Sequence, residues 1–288
     1  MRRRTFLGLV AAGATAGCSG SDDPPTTTTQ KRETETMDGE PGEATRSRHT
    51  YGDDPSQYGD LLLPAGTPRG VVVVIHGGFW KSAYDADSLG LPLAEALAAE
   101  GWAAWNLEYR RVGTGPGGGG GAPETFDDVA AGIDRLASLD VDTSTVVTLG
   151  HSAGGHLATW AAGRGEHGWP EQVAVTHVIS QAGVLDLRAA FVDDLGGGAV
   201  ASLLGHAPTS ADARFDPAQQ LPLDVPVWCV HASDDTIVPL RQSVDYVVRA
   251  GATGARAELV EVDGDHFVVI DPTSPAWARQ LAILDTIG

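Results

Sequence analysis

The chain has 288 residues, 42% of them hydrophobic, enough for one large α/β domain with a buried sheet and a tight fit for two. Its formal net charge is −19, with 38 acidic against 19 basic residues and lysine only at Lys31 and Lys81, so its surface repels phosphate backbones and argues against a nucleic-acid partner. Two cysteines, Cys18 and Cys229, are too few for a disulfide framework.

The first 17 residues read as an address. A basic start at Arg2-Arg3-Arg4 is followed by a short apolar stretch rich in Ala and Gly, too short to span a bilayer as a helix. Arg3-Arg4 before Phe6-Leu7 resembles a twin-arginine signal, and Thr15-Ala16-Gly17-Cys18 resembles a lipobox ending at a lipidated Cys18. The expectation is an exported, extracytoplasmic protein held by a lipid at the outer face of the cytoplasmic membrane, its only membrane contact. Residues 18–47 are polar and nearly free of apolar side chains, so they read as a disordered tether that buries too little surface to offset its ordering entropy. The folded domain is expected over residues 48–288.

A hairpin at a sheet edge is expected around His49–Gly52 and Tyr58–Leu63. Val71 to Ile75 is a run of five β-branched residues, as in a strand buried on both faces. A helix over Leu91 to Glu100 stops at Gly101, and Ala103 to Leu107 is the next strand. The spacing of Val129, Ile133 and Leu136 predicts a helix opening near Pro123. Gly117 to Gly121 reads as a flexible surface loop. Further strands are expected at Thr145 to Leu149, Val175 to Ser180, Val227 to His231 and Ala257 to Val262. Helices follow over His156 to Ala162, Pro239 to Ala250 and Pro275 to Ile287. Cys229 lies in an apolar run and reads as a small buried hydrophobe. Such alternation implies a mostly parallel sheet flanked by helices, with chemistry at the carboxyl ends of its strands. Val184 to Leu223 is expected to form a small cap over the pocket.

Three motifs fall at those strand ends. Gly150-His151-Ser152-Ala153-Gly154 fits G-x-S-x-G between a strand and a helix, where glycines permit the tight turn that exposes a nucleophilic serine. His76-Gly77-Gly78-Phe79-Trp80 follows the first buried strand and can bring backbone N–H groups to a substrate oxygen. The N–H of Gly78 or Phe79, paired with that of Ala153, is the expected oxyanion hole, and His76 itself is read as a structural residue. A serine nucleophile needs a base, and the base an orienting acid, in the chain order Ser, acid, His. Asp235, with Asp234 as rival, and His266 stand in that order at later strand ends. Trp80, His151 and Phe267 are expected to shape the substrate pocket. No H-E-x-x-H, Cys/His cluster or G-x-G-x-x-G after a strand occurs, so no metal or other cofactor is expected.

Together, His76 to Trp80, Gly150 to Gly154, Asp235 to Pro239 and Gly264 to Phe267 resemble the α/β-hydrolase superfamily, and within it esterase/lipase-like members related to carboxylesterases, feruloyl-esterase-like proteins and kynurenine formamidases. The resemblance covers roughly residues 49–288. It implies the α/β-hydrolase fold, a Ser152–Asp235–His266 triad, an oxyanion loop at Gly77 to Phe79 and a small-molecule acyl substrate. Carboxylic ester hydrolysis is the expected reaction. An amidase, arylformamidase or small peptidase is the alternative, and a non-catalytic binding module stands further off.

Overall fold

The computed structural model describes residues 44–287 and the backbone of Thr36–Met37. The strands are Thr36–Met37 (β1), Thr45–Thr50 (β2), Tyr58–Leu63 (β3), Val71–Ile75 (β4), Ala103–Leu107 (β5), Val146–His151 (β6), His177–Gln181 (β7), Val227–Ala232 (β8) and Ala257–Val262 (β9). They form one sheet in the order β1-β2-β3-β5-β4-β6-β7-β8-β9, antiparallel from β1 to β5 and parallel from there to β9. Helices Ala86–Leu89 (α1), Leu91–Ala99 (α2), Glu124–Asp134 (α3), Ala153–Ala161 (α4), Leu187–Val192 (α5), Ala199–Leu204 (α6), Arg241–Thr253 (α7) and Pro275–Leu284 (α8) complete the order.

The valine run behaves as its composition predicts. Val71, Val73 and Ile75 enter one apolar cluster with Phe126, Leu157 and Trp160, while Val72 and Val74 enter the other with Leu93, Leu97 and Trp277. All five residues of β4 are at most 1% exposed, and each buried side chain of this size contributes roughly 1.5–3 kcal/mol. The next strand in sequence, β5, pairs on one side of β4, whereas β6 pairs on the other. The chain therefore reverses its winding at β4, and the loops leaving β4 and β6 flank the crevice that this reversal opens.

One expectation fails at the sheet edge. Thr45 to Ser47, placed in the polar tether, belong to β2, and Thr36–Met37 pairs with them. The residues pair through charge rather than apolar burial: Arg46 and Arg48 both reach Asp60, which is 1% exposed, at 2.6 and 2.8 Å. Hydropathy does not signal such a strand. The signal segment, the lipobox at Cys18 and most of the tether lie outside the described residues.

The segment expected as a cap contains α5, α6 and the short turns Ser210–Phe215 and Pro217–Gln219. It meets the loop after β4, where Lys81 Nζ donates to Gly196 O at 2.8 Å and a Cβ on Gly196 would lie 2.5 Å from the Phe79 ring. Its apolar residues also pack on the aromatic cluster of Phe126, Trp160 and Trp169, where the Phe215 ring stands 4.6 Å from that of Phe126. The glycine run after Arg111 is folded back by backbone bonds, Gly120 N–H to Arg111 O at 2.8 Å and Gly119 N–H to Gly113 O at 3.0 Å. A Cβ at Gly120 would lie 2.2 Å from Arg110 O, so close approach explains the glycine there.

Candidate active site

Strand β6 ends at His151 and α4 begins at Ala153, leaving Ser152 alone at the turn with φ 56° and ψ −115°. For a residue with a Cβ this costs on the order of 1–3 kcal/mol, and the surroundings must hold it there. They do so through Ser152 N–H to Gln181 O at 2.8 Å, and through the Ser152 carbonyl, which accepts from His156 and Val184. The flanking glycines are required by contact. A Cβ at Gly150 would lie 2.1 Å from Gly154 O, and one at Gly154 would lie 2.0 Å from Ile75 O.

The loop after β4 turns at Gly78 (φ 109°), Phe79 (φ 53°) and Trp80 (φ 55°). Its Gly77 packs directly on the serine turn, since a Cβ there would sit 2.7 Å from His151 O and 3.2 Å from Ser152 Cβ. Among the described residues the N–H groups of Gly78 and Phe79 meet no acceptor. Ala153 opens α4 and has no intrahelical acceptor for its own N–H. These are donors held in place before any charge forms, as an oxyanion site requires.

His76 supports this loop from below. Its ring stacks on Tyr109 at 4.5 Å, its Nε2 lies 3.2 Å from Glu108, and the Tyr109 hydroxyl donates to its carbonyl at 2.8 Å. Glu108 also accepts from Arg111 and from the Tyr109 and Ala86 N–H groups. Burial alone would raise the Glu108 carboxyl; the bonds from His76 and the nearby Arg111 charge outweigh it and hold the group at about 2.

Asp235 and His266 arrive from the ends of β8 and β9. The His266 Nδ1–H donates to Asp235 Oδ2 at 2.6 Å. The other carboxylate oxygen accepts the N–H groups of Ile237 and Val238, each at 2.8 Å. Burial works to raise the Asp235 carboxyl, but bonds from His231, His266 and Val238 prevail and keep it far below the usual carboxylate range. The rival Asp234 is exposed and spends its N–H on Gly264 O.

Ser152 and His266 line one cavity of about 110 Å³, together with His151, Phe267, Gly78 and Phe79. No hydrogen bond joins the Ser152 hydroxyl to His266 in this structure; catalytic contacts often tighten only once substrate is bound. His151 directs Nε2–H to the His266 carbonyl at 2.9 Å, and its ring lies 4.5 Å from that of His266. Burial, with a smaller push from His266, lowers the His151 imidazole to about 3, so it is neutral and fixes the base loop.

Trp80 is not part of the cavity. It is 1% exposed and meets His156 edge-on at 5.2 Å inside the core. The left-handed backbone at Phe79 and Trp80 sends the two rings apart, Phe79 to the cavity and Trp80 beneath the loop. Three further wall residues, Tyr84, Leu89 and Ile237, escape the sequence reading. Ile237 had a signal, two residues past Asp235. Tyr84 had none: its ring lies where a Cβ of Gly78 would come within 2.5 Å.

A second serine–histidine–aspartate chain ends on the same carboxylate. His231 Nδ1 lies 2.8 Å from Ser243 Oγ, and His231 Nε2 lies 3.2 Å from Asp235 Oδ2. Ser243 and His231 are both fully buried, and Ser243 sits within α7. Neither lines the cavity. An ester cannot reach that hydroxyl, so this chain is read as structural support.

Among the described residues, no group of three or more His, Cys, Asp or Glu could hold a metal ion. No described helix is long and apolar enough to cross a membrane.

No curated protein matches the chain by sequence. Among solved structures, esterase B from Lactobacillus rhamnosis in a tributyrin phosphonate-inhibited form superposes with a TM-score of 0.73 at 22% identity, covering 86% of each chain. A truncated carbohydrate esterase from gut microbiota gives 0.67 at 21%, covering 86% of this chain and 98% of that one. Esterase 2 of Thermogutta terrifontis gives 0.66 at 23%, covering 85% and 91%. At these identities the likeness establishes the fold. The BD-FAE family model matches residues 60–249, a span that takes in Ser152 and Asp235 and stops before His266. The chain belongs to the BD-FAE family, within the α/β-hydrolase superfamily.

Proposed function

We propose that the protein hydrolyses small carboxylic esters through an acyl-enzyme on Ser152, with His266 as base, Asp235 as its orienting acid, and the N–H groups of Ala153 and of Phe79 or Gly78 as oxyanion donors. The observation that carries this reading is the 2.6 Å bond from His266 Nδ1–H to the buried Asp235 carboxylate, with that same imidazole facing the cavity of the strained Ser152. A carboxylate on Nδ1 fixes the tautomer that leaves Nε2 free to take a proton. His266 removes the Ser152 proton as the oxygen attacks the acyl carbon, and the carbonyl oxygen becomes an oxyanion against the waiting amides. His266 then protonates the departing alcohol, and water repeats the sequence to release the acid.

The cavity's size argues for a short acyl group, because drug-sized ligands fill roughly 300–1,000 Å³ and this space is about 110 Å³. Tyr84 and Phe267 are half-exposed at its mouth, so the leaving group lies against aromatic surface. The same small space admits a formyl group, which makes aryl formamides the second substrate class. The tributyrin phosphonate and carbohydrate-esterase descriptions of two structural neighbours support acyl esters as the first.

The purified protein should be assayed on aryl esters of increasing acyl length, aryl formamides and aminoacyl anilides. Acetyl to butyryl esters should turn over fastest, with a steep fall for longer acyl chains. Ser152→Ala should remove about 10⁶ of kcat. A Ser152→Ala protein that retained turnover on every substrate would overturn the mechanism.

The N-terminal pattern supports an extracytoplasmic, lipid-anchored enzyme. Cys18→Ser should shift the protein from the membrane to the soluble fraction, and an unchanged membrane fraction would remove the anchor from this account.

A further inference from the structure

We infer that His231, braced by Ser243, is a positioning residue for the reaction: its Nε2–H stands beside the same Asp235 oxygen that holds His266 and so sets how strongly that carboxylate holds the base. The inference rests on the Ser152–Asp235–His266 reading above.

The tautomer of His231 follows from its neighbours. Its Nε2 faces two oxygens that carry no hydrogen, the Val238 carbonyl at 2.9 Å and Asp235 Oδ2 at 3.2 Å. A lone pair there would be repelled by both, so Nε2 carries the proton. Nδ1 is then an acceptor, and its partner at 2.8 Å, the Ser243 hydroxyl, donates to it. Ser243 lies in the first turn of α7, which locks the imidazole against the helix. Asp235 thereby receives N–H groups from Ile237 and Val238 on Oδ1 and from His266 on Oδ2, and the His231 Nε2–H, which donates to the Val238 carbonyl, stands 3.2 Å from that same Oδ2. Its side chain is fully buried, so no water can replace a lost donor without rearrangement.

Other titratable groups surround this carboxylate. His151 stands behind His266, exposed Asp234 and Glu261 neighbour Asp235 and His231 in sequence or across β9, and Cys229 and Tyr246 lie past Ser243. None of them donates to Asp235. With the His231 donor removed, the carboxylate's charge falls more heavily on the His266 Nδ1–H. The imidazolium form is then favoured, and the base is lost at a higher pH.

The experiment uses His231→Leu, His231→Gln and Ser243→Ala in the full chain, with Ser152→Ala alongside. Kinetics on an aryl acetate are followed against pH, and the downfield proton NMR signal of the His266 Nδ1–H···Asp235 bond is recorded. His231→Leu should lower kcat about tenfold, as loss of a partner behind a catalytic group does, with KM within about twofold. The acidic limb of kcat/KM should move to higher pH and the NMR signal should shift. His231→Gln can place an amide N–H where Nε2–H stood and should restore both. Ser243→Ala should move both in the same direction by less. An acidic limb and NMR signal at their wild-type positions in His231→Leu, with only thermal stability lowered, would overturn the inference and leave Ser152 untouched. If His231→Leu does not fold, Ser243→Ala decides by the same two readouts. If Ser152→Ala retained turnover, the Ser152 reading would fall, and this inference with it.

Discussion

Two sets of serine, histidine and aspartate converge on Asp235, and they differ in almost everything except composition. Ser152 stands on a strained turn between strand and helix, at a cavity wall, beside amides without acceptors. Ser243 sits inside α7 with ordinary helical backbone, fully buried, and its hydroxyl is consumed by His231. His266 uses Nδ1 on Asp235 and turns the rest of its ring to the cavity, whereas both nitrogens of His231 are spent on protein groups. The set whose serine already meets its histidine is therefore the inert one. A nucleophile needs an unspent hydroxyl, access for substrate and somewhere for negative charge to go.

Removing each serine tests that contrast most severely. Ser152→Ala should lose about 10⁶ in kcat, and Ser243→Ala only a few-fold, measured on the same short ester. Comparable losses would erase the distinction. Asp235→Asn touches both chains at once. It should lower kcat by about 10⁴, because the amide favours the wrong His266 tautomer, and should lower thermal stability too, because His231 loses an acceptor; unchanged kcat would show that the acid lies elsewhere.

The smallest effect on turnover belongs to the network beneath the oxyanion loop. Glu108→Gln breaks a buried pair with Arg111 and should cost about 3 kcal/mol in denaturant unfolding while kcat of the folded enzyme changes less than tenfold. The wild-type carboxyl is held at about 2 against an ordinary 4.5, so a group depressed in the folded state stabilises above pH 4.5 and loses that contribution as pH falls toward 2. Acid unfolding of the wild type should steepen in that window. An equally steep curve for the Gln variant would assign the acid sensitivity to other carboxylates, such as Asp235.

Much of the site was legible along the chain. The five β-branched residues of β4, the glycines around Ser152 and the order Ser152, Asp235, His266 are local features, and each marks a strand end. Trp80 was misplaced because its direction depends on a positive φ that sequence does not reveal in a non-glycine residue. Thr45 to Ser47 escaped because Asp60, 12 residues beyond Arg48, supplies the pairing that apolar side chains usually supply. The 184–223 segment was expected over the pocket, and the particular contact, Gly196 against the Phe79 ring, joins residues far apart in the chain.

The sequence by itself determined the fold class, the turn that carries Ser152, and the loops from which acid and base come, because buried strands and glycine turns leave marks over a few neighbouring residues. Only the tertiary structure decided which serine lines the cavity, which histidine has both nitrogens spent on protein groups, and how small that cavity is. Those depend on packing between groups far apart in the chain, down to a fraction of an ångström, and no local pattern encodes it.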